Sequence, residues 1–252
     1  MNFSGVYSLM NMPPGTVVDC RDIRSCDCYC SPESAAAIRK RMGKDPSGIH
    51  FIDSGDYHYV TEFWTDRIRE PFNLILFDHH PDMHEPEFPD LVSCGGWVQD
   101  VLAGNPHCRK VLIIGANPAL SREALQALDR IRLIDEKHVM EEAMEDALPF
   151  FDRTLPVYIS IDKDVLDEEW ASTDWDQGSM SLRMLESCLR LVFGRFRVIG
   201  VDICGEKPEG KGGTEKDWTL NSLTNKELFL FLQEIWRKGW RKGWRKGSGQ
   251  AV

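Results

Sequence analysis

Large apolar residues fall along this chain in two patterns. Four short runs lack alternation: Leu74-Ile75-Leu76-Phe77, Val111-Leu112-Ile113-Ile114, Val157-Tyr158-Ile159-Ser160-Ile161 and Val198-Ile199-Gly200-Val201. Such runs suit strands buried on both faces of a parallel sheet. Between them, apolar residues recur at helical spacing: Ala35, Ile38 and Met42 behind Ser31-Pro32, then Leu182, Leu185, Leu189 and Val192 behind Ser181. A capping box of Thr224 and Glu227 precedes Leu228, Phe231, Leu232 and Ile235, which predicts a last helix starting there. Weaker signals predict strands at 16–19, 50–53 and 131–135, and helices at 59–69, from Gly95-Gly96-Trp97-Val98 onward, and at 123–129. Strands alternating with helices imply an α/β fold, a mostly parallel sheet with helices on both faces.

No composition break divides the body, so one domain is expected over residues 1–235, followed by a low-complexity basic tail at 236–252. The tail repeats Trp-Arg-Lys-Gly three times, and a glycine at every fourth position weakens any helix there. Its six Arg and Lys lie on a chain of net charge −10, so the remainder carries −16. So acidic a body argues against a nucleic-acid-binding face and is compatible with a small cationic substrate. The first fifteen residues do not read as a signal peptide, and no apolar run approaches membrane-spanning length. Eight cysteines without an export signal point to reduced thiols and a cytoplasmic protein. Cys26, Cys28 and Cys30 alternate and would share one side of an extended chain, but no CxxC spacing supports a structural zinc site. Packed thiols are the expectation there.

The chemistry collects at strand ends. Leu74–Phe77 runs straight into Asp78-His79-His80-Pro81-Asp82, and Val157–Ile161 into Asp162-Lys163-Asp164. If the chain stays extended, Asp78, His80 and Asp82 point one way, and so do Asp162 and Asp164. With His58, after the 50–53 strand, this makes four carboxylates and two imidazoles. That is too many for one cation with an open position, and suits two ions bridged by carboxylates. The oxygen-rich shell leans toward Mn²⁺, with other divalent metals compatible. Such a pair generates a bridging hydroxide nucleophile near neutral pH.

These motifs resemble the arginase and agmatinase (ureohydrolase) family. Its DxHxD motif is matched by Asp78, His80 and Asp82, and its SxDxDxxDP motif by Ser160, Asp162, Asp164 and Asp167, with Glu168 in place of Pro. Gly55-Asp56-Tyr57-His58 loosely meets its GGDHS motif. The resemblance implies a three-layer α/β/α fold shared with deacetylase-like hydrolases, two Mn²⁺ per chain, and a homo-oligomer. It implies that His58 and His80 each hold one ion, that Asp82 binds beside His58 and hydrogen-bonds the hydroxide, that Asp78 and Asp162 bridge, and that Asp164 completes the second ion. The implied activity is hydrolysis of a C–N bond in a small guanidino, amidino or amide compound.

The chain also departs from the family. The turn Ser93-Cys94-Gly95-Gly96-Trp97 lacks the proton-transfer histidine expected there, leaving His79, His84 and His107 as substitutes. The family's guanidinium-binding acid comes three residues after a strand-end Asp, whereas Glu206 follows Asp202 by four. Glu206 is therefore a candidate for gripping a cationic group only if Gly205 permits a bulge. Asp174-Trp175-Asp176 stands where the family has a glycine-rich loop, so Trp175 and Asp176 are expected in a pocket wall. Two alternatives compete: a DHH-type manganese phosphoesterase, from Asp78-His79-His80, and an inactive metal-binding protein of the same fold.

Overall fold

The computed structural model describes residues 1–85, 87–88, 90–121 and 129–241. A six-stranded sheet forms from β2 (Gly48–Phe51), β3 (Phe72–Phe77), β5 (Cys108–Ala116), β6 (Ile131–Asp135), β7 (Val157–Asp162) and β8 (Val198–Cys204). Its order is β2-β8-β7-β3-β5-β6, and every pairing is parallel. Two short strands, β1 (Tyr29–Cys30) and β4 (Val92–Ser93), pair antiparallel beside it. The helices are α1 (Pro32–Arg41), α2 (Val60–Thr65), α3 (Trp97–Gly104), α4 (Pro118–Ser121), α5 (Glu141–Ala147), α6 (Leu182–Arg195) and α7 (Glu215–Arg241).

All six residues of β3 and of β7 are buried, because each strand alternates between two apolar cores. Leu74 and Leu76 face a cluster with Ile38, Phe63 and Val98 of α1, α2 and α3. Ile75 and Phe77 face the opposite cluster, with Met144, Leu185, Leu189 and Leu228 of α5, α6 and α7. The result is three layers, helix on sheet on helix. From β3 the chain moves through β5 to β6, then crosses back to the other side of β3 for β7 and β8. The order thus reverses between β3 and β7, and such a switch point opens a crevice at the C-terminal strand ends.

Several boundaries differ from the sequence expectations. Residues 16–19 form no strand, only an isolated bridge between Asn2 and Asp19, with Val17 exposed. The helix expected at 59–69 stops at Thr65, where Arg67 and Ile68 turn back to Trp64 and Thr65 in tight i→i−3 bonds. The last helix begins at Glu215, well before Thr224. Thr214 and Asp217 make its cap, through Thr214 N to Asp217 Oδ2 at 2.9 Å, while Thr224 is buried and donates to the Trp170 carbonyl. The same helix continues to Arg241, so no element ends between 235 and 236. Trp236 packs edge-on against Phe193 at 5.5 Å, a tertiary contact that offsets the weak intrinsic helicity of the repeat. Helix α5 was not expected from the sequence, and the helix expected at 123–129 falls almost wholly outside the described residues. No described helix is long and apolar enough to cross a membrane.

Candidate metal centre

The six residues expected from the sequence meet at the crevice, though not by staying extended. β3 ends at Phe77, and Asp78 closes a turn by accepting the His80 amide at 2.6 Å on Oδ1. Asp82 then takes a left-handed conformation, φ +48°. Likewise Asp162 is the last residue of β7 and caps a 3₁₀ turn, Lys163–Val165, by accepting the Asp164 amide at 3.0 Å. Side-chain alternation therefore stops at each strand end, and turns aim the carboxylates.

His58 Nδ1 lies 3.0 Å from Asp82 Oδ2, 3.2 Å from Asp78 Oδ2 and 3.5 Å from Asp162 Oδ2. His80 Nδ1 lies 2.8 Å from Asp164 Oδ2 and 3.6 Å from Asp78 Oδ1. Two groups with mutually close ligand atoms result, His58/Asp78/Asp82 and Asp78/His80/Asp164, and Asp78 belongs to both. Asp162 also joins His58 and Cys204 in a third such group. This donor set of carboxylate oxygens and imidazole nitrogens fits two divalent cations sharing a bridging carboxylate.

The electrostatics agree. Burial raises the pKa values of Asp78, Asp162 and Asp164, and a neighbouring carboxylate adds to each, bringing Asp164 to about 6. Burial opposes a charged imidazolium at His58, but Cys204, Asp78 and Asp82 outweigh it and raise that pKa well above the usual range. His80, against the same penalty, is lifted to about 11 by Asp164 and Asp78. The acids thus hold protons on their imidazole neighbours, a positive charge that a divalent cation would supply instead.

Other side chains orient the ligands, and the sequence reading did not assign these roles. Ser160 Oγ donates to Asp202 Oδ1 at 2.6 Å and lies 2.8 Å from His58 Nε2. Having given its proton to Asp202, Ser160 accepts from His58 Nε2–H, which leaves Nδ1 as the ring atom facing the acids, where a bound cation would take the place of its proton. Thr61 Oγ1 also donates to Asp202, at 3.1 Å. Trp97 Nε1 donates to Asp82 Oδ2 at 2.6 Å, and Cys204 Sγ to Asp162 Oδ2 at 3.0 Å. Only the position of Ser160 within its motif hinted at any of this.

The remaining candidates separate. Glu206 does not line the cavity: fully buried, it pairs with Lys163 Nζ at 2.7 Å and accepts from Asn221 and Asn225 at 2.9 and 2.7 Å. Gly205, at φ +89°, makes this turn, and a Cβ there would sit 2.5 Å from Asp162 Oδ1. Of the three substitute histidines only His84 lines the cavity. His79 is buried beside His80 but outside the lining, its ring 3.7 Å from Glu136, and His107 belongs to a different cavity. Trp175 forms a wall, donating to Asp56 Oδ1 at 3.1 Å, whereas Asp176 is exposed and outside the lining. Asp174 beside it is pushed up to about 8, by burial first and then by Asp56. Cys26 and Cys30 are buried, but Cys28, at φ +55°, turns into the cavity and donates to Asp56 at 3.0 Å. A further close group, Asp27/Cys28/Asp56, already has the Lys211 ammonium 3.1 Å from Asp56. The cavity over the ligands measures 220 Å³.

Comparison with known proteins places this geometry. A model of the arginase family matches residues 47–216. A Thermotoga maritima protein described as uncharacterized is 35% identical over 159 residues, 63% of this chain and 58% of that one. A hypothetical agmatinase from Burkholderia thailandensis superposes with a TM-score of 0.61 at 20% identity, over 84% of this chain and 64% of that one. The proclavaminate amidino hydrolase of Streptomyces clavuligerus gives 0.61 at 15% identity, over 91% and 77%. At such identities the structural likeness establishes the fold. The chain spans less than two thirds of the Thermotoga and Burkholderia proteins.

Proposed function

The chain belongs to the arginase family, and on that premise we propose that it is a metal-dependent hydrolase of a non-peptide C–N bond in a small guanidino, amidino or amide compound. The observation that carries this reading is the shared position of Asp78 in two ligand groups. His58 and Asp82 would hold one ion, His80 and Asp164 the other, with Asp78 and Asp162 between them. Manganese is the metal best suited to so many oxygen donors. When bound, such a pair supplies Lewis acidity and a water acidic enough to react near neutral pH.

The protein's own contribution is to hold and exclude. Ser160 and Asp202 fix the His58 ring, and Trp97 fixes Asp82. Cys28, Tyr29, Cys94 and Trp175 wall the cavity with largely apolar surface, which restricts water and admits a small substrate. His84 lines that wall and belongs to none of the close ligand groups, which supports the role of carrying a proton to the leaving nitrogen. Glu206 supports the ligand turn from beneath.

The test is metal content per chain after manganese reconstitution, with urea and ammonia release screened on the same sample. Two ions per chain with release from a guanidino, amidino or amide compound is the expected result. A chain that takes up no metal would overturn the reading.

A further inference from the structure

At the edge of the sheet opposite the metal centre, where β3 and β5 begin, lies a second cavity of 610 Å³. The end of α1 and the connections α2–β3 and α3–β5 wall it. Four cationic side chains line it: Arg39, Lys40, Arg67 and Arg69. Arg39 is already paired, with Asp66 at 2.5 Å and Glu62 at 3.2 Å. Among the described residues, the other three have no carboxylate within ion-pair distance; Glu70, next to Arg69, is taken by Arg197 at 2.6 Å. Arg67 donates to the Arg39 carbonyl at 2.6 Å, while its Nε is buried without a partner.

Lys40, Arg67 and Arg69 repel each other, and the four cations outnumber the two carboxylates that touch them, Glu62 and the lining residue Asp66, by two, an excess that stands out on a chain of net charge −10. A multiply charged anion would relieve that repulsion and give the Arg67 Nε an acceptor. Guanidinium forks match phosphate oxygens in pairs, and the excess positive charge favours an anion that carries more than one negative charge. The volume falls in the range of small-molecule sites, about 300–1,000 Å³, and the acidic body disfavours a nucleic acid or an anionic membrane. We propose that this cavity binds a small phosphate-bearing molecule through Lys40, Arg67 and Arg69. It is a site separate from the metal centre by the length of the strands, roughly 20 Å for six residues.

The test is calorimetric titration of the full chain with inorganic pyrophosphate at about 0.15 M salt, without added divalent ions. Saturable binding of one pyrophosphate per chain is expected. The double variant K40Q/R69Q, altered at two exposed positions, should weaken it at least about tenfold, the loss of roughly 1.4 kcal/mol. The metal-ligand variant D78N should leave it unchanged. Absence of saturable binding, unchanged affinity in K40Q/R69Q, or loss confined to D78N would overturn the proposal. Citrate binding as tightly as pyrophosphate would overturn the phosphate assignment.

Discussion

Lys163, in the turn that carries the candidate ligands Asp162 and Asp164, meets Glu206 at 2.7 Å, and both are wholly buried. Asn221 and Asn225 of α7 complete the shell around the carboxylate, so the pair ties the last helix to the site. Breaking a buried pair from one side leaves a charge without compensation, at a cost of about 3–5 kcal/mol. Glu206→Gln is therefore expected to lower the unfolding free energy by that order, measured by urea denaturation. Near-native stability with a raised KM would instead place Glu206 on the substrate.

Asp78 stands in both ligand groups, so Asp78→Asn should remove metal and activity together. Atomic absorption on the reconstituted variant checks this. Retention of two ions per chain would contradict the bridging assignment.

Ser160 holds His58 by a hydrogen bond to Nε2. Ser160→Ala leaves the ligands in place but frees the ring, which should weaken metal affinity about 10–100-fold. Competition with a chelating dye reads the change directly, and unchanged affinity would remove Ser160 from the support of the centre.

His84 lines the cavity without belonging to a ligand group. His84→Gln is expected to lower kcat about 10²-fold or more while metal stoichiometry stays at two per chain. A variant with full kcat would show that another group moves the proton.

His50 stacks on Trp64 at 3.9 Å, and burial lowers its pKa to about 4. The unfolded chain, with an ordinary histidine pKa near 6.5, binds a proton that the folded chain refuses between those values. The His50 contribution is thus fully present above about pH 6.5, is lost progressively as pH falls toward 4, and changes no further below it; the loss is on the order of 3 kcal/mol. Unfolding free energies at about pH 7.5 and 4.5 should differ less in His50→Phe than in the natural chain. Equal differences would show that His50 carries no such linkage.

The sequence by itself determined the central strands of the sheet and the candidate ligands at their ends. A strand covered on both faces must be apolar at every position, so β3, β5, β7 and β8 were legible as unbroken runs, and the acids at two of their ends could be read from order alone. Local turn chemistry was less legible: Asp78, His80 and Asp82 were expected to converge by extension, and converge instead through a turn with Asp82 at positive φ. The start of α7 was misplaced because Thr224 and Glu227 have the letters of a capping box, while burial of Thr224 against the Trp170 carbonyl makes it a packing residue.

Only the tertiary structure decided which distant side chains serve the site. Ser160 is 102 residues from His58 and Trp97 lies on a separate helix, so no local spacing could assign their roles. The direction of Glu206 depended on one glycine's φ and on finding Lys163 and two asparagines of α7 in its path. The cationic cavity likewise joins a helix end to two connections across the sheet. Periodicity records what each element buries; which side chains meet depends on how the layers stack, and that is a long-range property of the chain.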